Sequence, residues 1–177
     1  MRRIETSSLI IDLEPELGGK IAQITSRRSR RQWLTRHPRL PRRVLSPDER
    51  LTPDAYTRLG DLGGWDECCP TVGYSANPLS PDQTVTDHGE CWGQAPEVLI
   101  TDRVFECLWT GQILPFELTR KMLVDETQPR LQVEYTLRSK TDTCGTRAVK
   151  PAGRTEARSA YRKHSGMTTR KSNWNAL

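Results

Sequence analysis

The run Leu131-Gln132-Val133-Glu134-Tyr135-Thr136-Leu137 alternates apolar with polar residues without a break. At a side-chain period of two, Leu131, Val133, Tyr135 and Leu137 fall on one face and Gln132, Glu134 and Thr136 on the other. The segment therefore reads as a strand with one side in a core and the other in water. Three earlier runs repeat the pattern: Glu97 to Asp102, Val104 to Thr110 and Phe116 to Val124. The breaks between them, at Thr101-Asp102, Gly111-Gln112 and Asp125 to Pro129, have hairpin lengths. Upstream, Ile4 to Leu13 reads as a strand, Glu14-Pro15-Glu16-Leu17-Gly18-Gly19 as a turn, and Lys20 to Thr25 as an alternating return strand. Trp33-Leu34 closes a third short strand. No amphipathic helix of a dozen residues, internal repeat or heptad pattern is present. The expected class is all-β, an antiparallel β-sandwich.

Two segments depart from the strand pattern. Between about residues 35 and 60, Pro38, Pro41, Pro47 and Pro53 recur among charges, which interrupts helices and removes ladder donors, so a long loop is expected. From residue 140 onward Lys, Arg, Thr, Ser, Gly and Ala dominate. Such a segment buries too little apolar area to offset ordering at about 1–2 kcal/mol per residue, and a disordered C-terminal tail is expected. Charge divides at the same place. Residues 1–139 hold 18 Lys and Arg against 20 Asp and Glu, net −2, while residues 140–177 carry a net +7. The reading is a body over residues 1–139 and a basic tail over 140–177.

The apolar run Leu9-Ile10-Ile11 after Met1-Arg2-Arg3 is too short for a secretory signal or a membrane span, so a cytoplasmic protein with no membrane partner is expected. Five cysteines, an odd number with no C-x-x-C spacing, argue against a disulfide framework or a zinc site. Cys68, Cys69 and Cys91 read as small hydrophobic fillers.

Acids, aromatics and glycines concentrate in Gly63-Gly64-Trp65-Asp66-Glu67-Cys68-Cys69-Pro70 and in Asp87-His88-Gly89-Glu90-Cys91-Trp92-Gly93. Carboxylates and an imidazole bind several hydroxyls together, and an indole face packs on the C–H face of a sugar ring, so this mixture suits a polyol. The candidate site comprises His88 as the catalytic position, with Trp65, Asp66, Glu67, Glu90 and Trp92 binding substrate. A plainer reading stands beside it: Trp65 and Trp92 as core residues, Asp87 as a turn residue, Gly89 as a left-handed position and Glu90 as a solvated charge. His88-Gly89-Glu90 matches the H-x-E of zinc deaminases, but no P-C-x-x-C follows. Zincin, P-loop and dinucleotide-binding signatures are missing, as is the G-x-S-x-G elbow, so no metal or other cofactor is expected.

Taken in order, three motifs resemble the galactose mutarotase-like, or aldose 1-epimerase, superfamily: Leu13-Glu14-Pro15-Glu16-Leu17-Gly18-Gly19-Lys20-Ile21, then Gly63 to Glu67 with Pro70-Thr71, then Asp87 to Trp92. The resemblance covers roughly residues 9–143 and is specific in the three motifs together. It implies a large β-sandwich and mutarotation of an aldose by ring opening, in which a glutamate takes the anomeric hydroxyl proton and a histidine protonates the ring oxygen. His88 then corresponds to the first of two active-site histidines, the one that binds sugar near the ring oxygen.

After Thr141 to Thr143 the family pattern continues into an apolar segment with the second histidine, whereas this chain has Cys144-Gly145-Thr146-Arg147. His164 and Glu156 stand in no matching context. The expectation is a truncated or frame-shifted, catalytically impaired member, an incomplete sandwich that binds a sugar and self-associates through an uncovered sheet face. The alternative is a non-catalytic interaction protein whose basic tail contacts nucleic acid or acidic partners. Charge alone supports it, without aromatic interleaving or a nucleic-acid motif.

Overall fold

The computed structural model describes residues 1–35, 43–60 and 62–140, and the backbone of residues 167–175. Its strands are β1 (Arg2–Glu5), β2 (Leu9–Glu14), β3 (Lys20–Ser26), β4 (Ser75–Asn77), β5 (Ser80–Val85), β6 (Glu97–Ile100), β7 (Val104–Thr110), β8 (Phe116–Val124), β9 (Arg130–Ser139) and β10 (Met167–Asn175). They form a three-stranded sheet β1-β2-β3, a five-stranded sheet β10-β9-β8-β7-β6 and the hairpin β4-β5. All pairings are antiparallel.

Ile4, Leu9, Ile11, Leu13, Ile21 and Ile24 of the smaller sheet share one core with Phe105, Cys107, Trp109, Leu118, Met122, Val124, Leu131 and Val133 of the larger. This sheet-on-sheet burial makes the fold a β-sandwich. The four expected runs appear as β6 to β9, and alternation holds on β8, where Phe116, Leu118, Arg120, Met122 and Val124 are all buried.

Several expectations are corrected. The single strand over Ile4 to Leu13 is two strands, because the Thr6 hydroxyl accepts the Leu9 N–H at 3.1 Å and turns the chain back at Thr6-Ser7-Ser8. Trp33-Leu34 is not a strand; only Gln32 bridges to Thr25, and both large side chains pack on the core. Within the expected long loop, α1 (Pro47–Arg50) and α2 (Ala55–Leu59) form. Pro47 sits in the first turn of α1, where its missing N–H costs nothing, and Ser46 and Glu49 close a capping box. Residues 36–42 of that loop lie outside the described residues.

In the expected disordered tail, residues 141–166 and 176–177 lie outside the described residues. Met167–Asn175 instead pairs with β9 from Met167↔Arg138 to Asn175↔Arg130. An edge strand offers a row of unpaired N–H and C=O groups, and the Thr168-Thr169 and Trp174 composition favours extended backbone. The expected uncovered face also differs over the described residues. On the inner sides of β6 to β9, the notably exposed apolar residues are Val98 at 44% and Leu137 at 38%, both at the margins. Trp33, Leu34 and Trp65 help the smaller sheet cover the rest.

Candidate functional site

The three motifs meet in space through backbone contacts that only glycine permits. Gly18 has φ 66°, and a Cβ there would lie 2.1 Å from the Trp92 carbonyl oxygen. Gly89 has φ 78°, and its Cβ would lie 2.4 Å from the Cys69 carbonyl oxygen. Left-handed backbone costs glycine little, so these positions let the segments touch. His88 is itself left-handed at φ 56°.

Around His88 the side chains form a connected set. Its Nδ1 pairs with Asp87 Oδ1 at 2.9 Å. Asp87 Oδ2 accepts the Tyr56 backbone N–H at 3.1 Å, and the Tyr56 ring stacks on the imidazole with centroids 4.4 Å apart. The Tyr56 hydroxyl donates to Asp66 Oδ2 at 3.0 Å, and Lys20 Nζ donates to the same oxygen at 2.9 Å. Trp92 meets Tyr56 edge-on at 5.1 Å and donates Nε1–H to the Asp87 carbonyl at 2.8 Å.

Because the Asp87 carboxylate accepts, Nδ1 is the donor of this pair and Nε2 is the ring nitrogen that Asp87 leaves over. No described side chain bonds Nε2, and the His88 side chain is 28% exposed against 7% for Asp87. A narrow cleft beside this set is lined by Leu17, Lys20, Arg43, Tyr56, Asp66 and Trp92; His88 borders it through Tyr56 rather than lining it.

Glu67 points elsewhere. One of its oxygens, Oε1, accepts Arg120 Nη1 at 2.8 Å and the Tyr135 hydroxyl at 2.8 Å. Arg120 is fully buried on β8, also donates to the Gly19 carbonyl, and lies 5.2 Å from the Phe105 ring centre and 5.3 Å from that of Trp109. Burial disfavours its charge, but the Glu67 carboxylate together with Cys107 and Tyr135 outweighs that and holds the guanidinium above its ordinary pKa. Burial, then the Glu67 charge, pushes the Tyr135 phenol up.

Glu90 is also committed inside the structure. Its carboxylate accepts the backbone N–H groups of Gln112 at 2.6 Å, Ile113 at 3.0 Å and Leu114 at 3.0 Å, pinning the β7–β8 turn. The buried Arg50 packs against Gly93, where a Cβ would lie 2.2 Å from Arg50 Cδ. Burial lowers the pKa of Arg50 and the Glu90 charge opposes that. Glu90→Gln should cost about 1–3 kcal/mol in urea unfolding, because the new amide N–H₂ meets donors where a carboxylate oxygen accepted. An unchanged midpoint would show that the turn does not depend on this carboxylate.

Of the residues singled out in the sequence, His88, Asp66 and Trp92 gather around Tyr56. Trp65 pairs its backbone with Ile21 and packs on the core, while Glu67 and Glu90 hold separate structural networks. Sequence reasoning passed over Lys20, Tyr56, Arg120 and Tyr135 as site residues. Arg120 left a signal, a charge on the apolar face of an alternating strand; Tyr56, inside a proline-rich loop, left none. Among the described residues no group of three or more His, Cys, Asp and Glu side chains is placed to hold a metal ion. Among them, no helix is long and apolar enough to cross a membrane.

No protein-family model matches the chain, and no curated protein does. Two solved structures are similar in fold. One is a galactose mutarotase related enzyme from Lactobacillus acidophilus, 15% identical with TM-score 0.53, matched over 80% of this chain and 44% of its own length. The other is the Slr1438 protein of Synechocystis sp. PCC 6803, 17% identical with TM-score 0.55, matched over 80% of this chain and 49% of its own. The chain therefore has the β-sandwich fold of a galactose mutarotase-related structure and spans less than half the length of the two solved structures it matches.

Proposed function

We propose that the chain binds an aldose or related carbohydrate through His88, without turning it over. The observation that carries this reading is the Asp87–His88 pair, with Nδ1 held by the carboxylate and the partly exposed ring stacked on Tyr56, which Trp92 meets edge-on. A neutral imidazole so fixed accepts a sugar hydroxyl proton at Nε2, and a protonated one donates to a ring oxygen. The fold shared with a galactose mutarotase related enzyme supports the same ligand class.

Ring opening needs a base at the anomeric hydroxyl and an acid at the ring oxygen in register with each other. Glu67 and Glu90, the glutamates of the two motif segments, are held by Arg120 and by the 112–114 backbone. Each missing acid or base costs about 10² to 10⁴ in rate. Polarimetry of freshly dissolved α-glucose or α-galactose with this chain should therefore follow the uncatalysed rate. Sugar titrations followed by the His88 imidazole NMR signals should show saturable shifts. Clear turnover that disappears in His88→Ala would overturn the non-catalytic reading, and no sugar-dependent shift would overturn binding.

A further inference from the structure

Cys69 and Cys91 belong to the two motif segments and meet where those segments cross. The Cys69 carbonyl accepts the backbone N–H groups of Glu90 at 2.7 Å and Cys91 at 3.3 Å. A direct N–H···O=C bond between two residues keeps their Cα atoms well inside the roughly 7 Å beyond which a disulfide cannot close. The two thiols are close enough that each shifts the other's ionisation. Gly89, packed to backbone contact with Cys69, lets the two segments approach this closely. Cys91 is fully buried, Cys69 is partly accessible, and its neighbour Cys68 is exposed; all three are free thiols.

We propose that Cys69 and Cys91 form a reversible disulfide, made by exchange with a low-molecular-weight disulfide such as oxidised glutathione, that staples the Gly63–Pro70 segment to the Asp87–Gly93 segment. Cys69 is the attacking residue, since it is the accessible member of the pair. The neighbouring Cys91 thiol favours the Cys69 thiolate and lowers its pKa, while the Cys69 thiol and burial push Cys91 up.

The Cys69 thiolate, its proton lost to solvent, attacks one sulfur of the small disulfide. That S–S bond breaks, one small thiol leaves after taking a proton, and a mixed disulfide remains on Cys69. Cys91 then gives up its proton and attacks Cys69 Sγ. The mixed S–S bond breaks and the second small thiol leaves. Two cysteine thiols are thereby oxidised to one disulfide, and their two electrons and two protons reduce the small disulfide to two thiols. The bond joins the residues that flank Asp87–His88 and Trp65–Glu67, so oxidation fixes the two halves of the candidate site to each other.

The test uses the full chain, first reduced and then equilibrated in a series of glutathione redox buffers. Two of its five thiols should become unreactive to alkylation, with loss of two hydrogen masses and a rise in the thermal midpoint. Because Cys68 and Cys69 are adjacent, the peptide map is made on Cys68→Ser, which should still yield a Cys69–Cys91 linkage. Cys91→Ser should lose the bond and accumulate glutathione on Cys69. Should Cys91→Ser fail to fold, the Cys68→Ser map decides alone. Five alkylatable thiols at the oxidising end of the series, or a linkage through Cys68 or Cys144, would overturn the proposal. None of these readouts depends on sugar binding.

Discussion

Replacing Arg120 by Met should destabilise the chain by about 3–5 kcal/mol, because the change removes one partner of a buried ion pair and leaves the other uncompensated. Arg120 is fully buried, and it bonds both the Glu67 carboxylate and the Gly19 carbonyl. Methionine of similar length fills most of the volume but donates nothing, so Glu67 keeps only the Tyr135 hydroxyl. The size of this effect follows from the asymmetry between breaking and replacing a pair: a hydrophobic substitute for both partners can be neutral, whereas removal of one is not. Urea unfolding of Arg120→Met, Glu67→Gln and the double variant measures it. The double variant should be more stable than Arg120→Met alone, since no carboxylate then remains buried without its cation. Equal stabilities for Arg120→Met and the native chain would show that Glu67 finds water instead, and that the network does not hold the Trp65–Glu67 segment to the sheet.

The larger sheet was legible because β7, β8 and β9 each bury one face, and a half-buried strand writes its geometry into the sequence at period two. Phe105, Cys107 and Trp109, or Leu131 and Val133, announce themselves in this way. The short elements were not legible for the opposite reason. α1 depends on a capping box at Ser46 and Glu49, and a single turn of helix leaves no periodicity to count. The split between β1 and β2 rests on one hydroxyl, that of Thr6, which an apolar pattern does not register. Strand β10 pairs through its backbone with an edge, and backbone pairing leaves composition largely unconstrained.

The candidate site was legible in its residues and not in their orientations. Asp66 and Glu67 are neighbours in the chain, yet their side chains take different partners: Asp66 bonds Tyr56 and Lys20, and Glu67 bonds Arg120 and Tyr135. Glu90 lies two residues from His88 and bonds the backbone of another turn. A motif gives the composition of a site; which carboxylate faces ligand and which holds scaffold depends on partners distant in sequence. Tyr56 illustrates this best, since it joins Asp66, Asp87, His88 and Trp92 from a loop where nothing local distinguishes it.

His88→Ala should therefore abolish most sugar binding while leaving the fold intact. The imidazole is partly exposed and makes one side-chain hydrogen bond, to Asp87, so its loss opens no sealed cavity. In the proposed mode Nε2 bonds the sugar, and losing one well-oriented hydrogen bond of about 1.4 kcal/mol weakens affinity about tenfold. Asp87→Asn separates orientation from contact. The asparagine keeps the shape, but its side chain no longer selects the tautomer with Nδ1 as donor, and binding should weaken less than in His88→Ala. Tyr56→Phe retains the stack on His88 and removes the bond to Asp66; its effect should be the smallest of the three. Calorimetric titration with galactose and glucose gives this order, and a thermal melt of each variant shows that it does not reflect unfolding. A loss of affinity in Tyr56→Phe equal to that in His88→Ala would move the ligand contact from the imidazole to Asp66 and the cleft beside it.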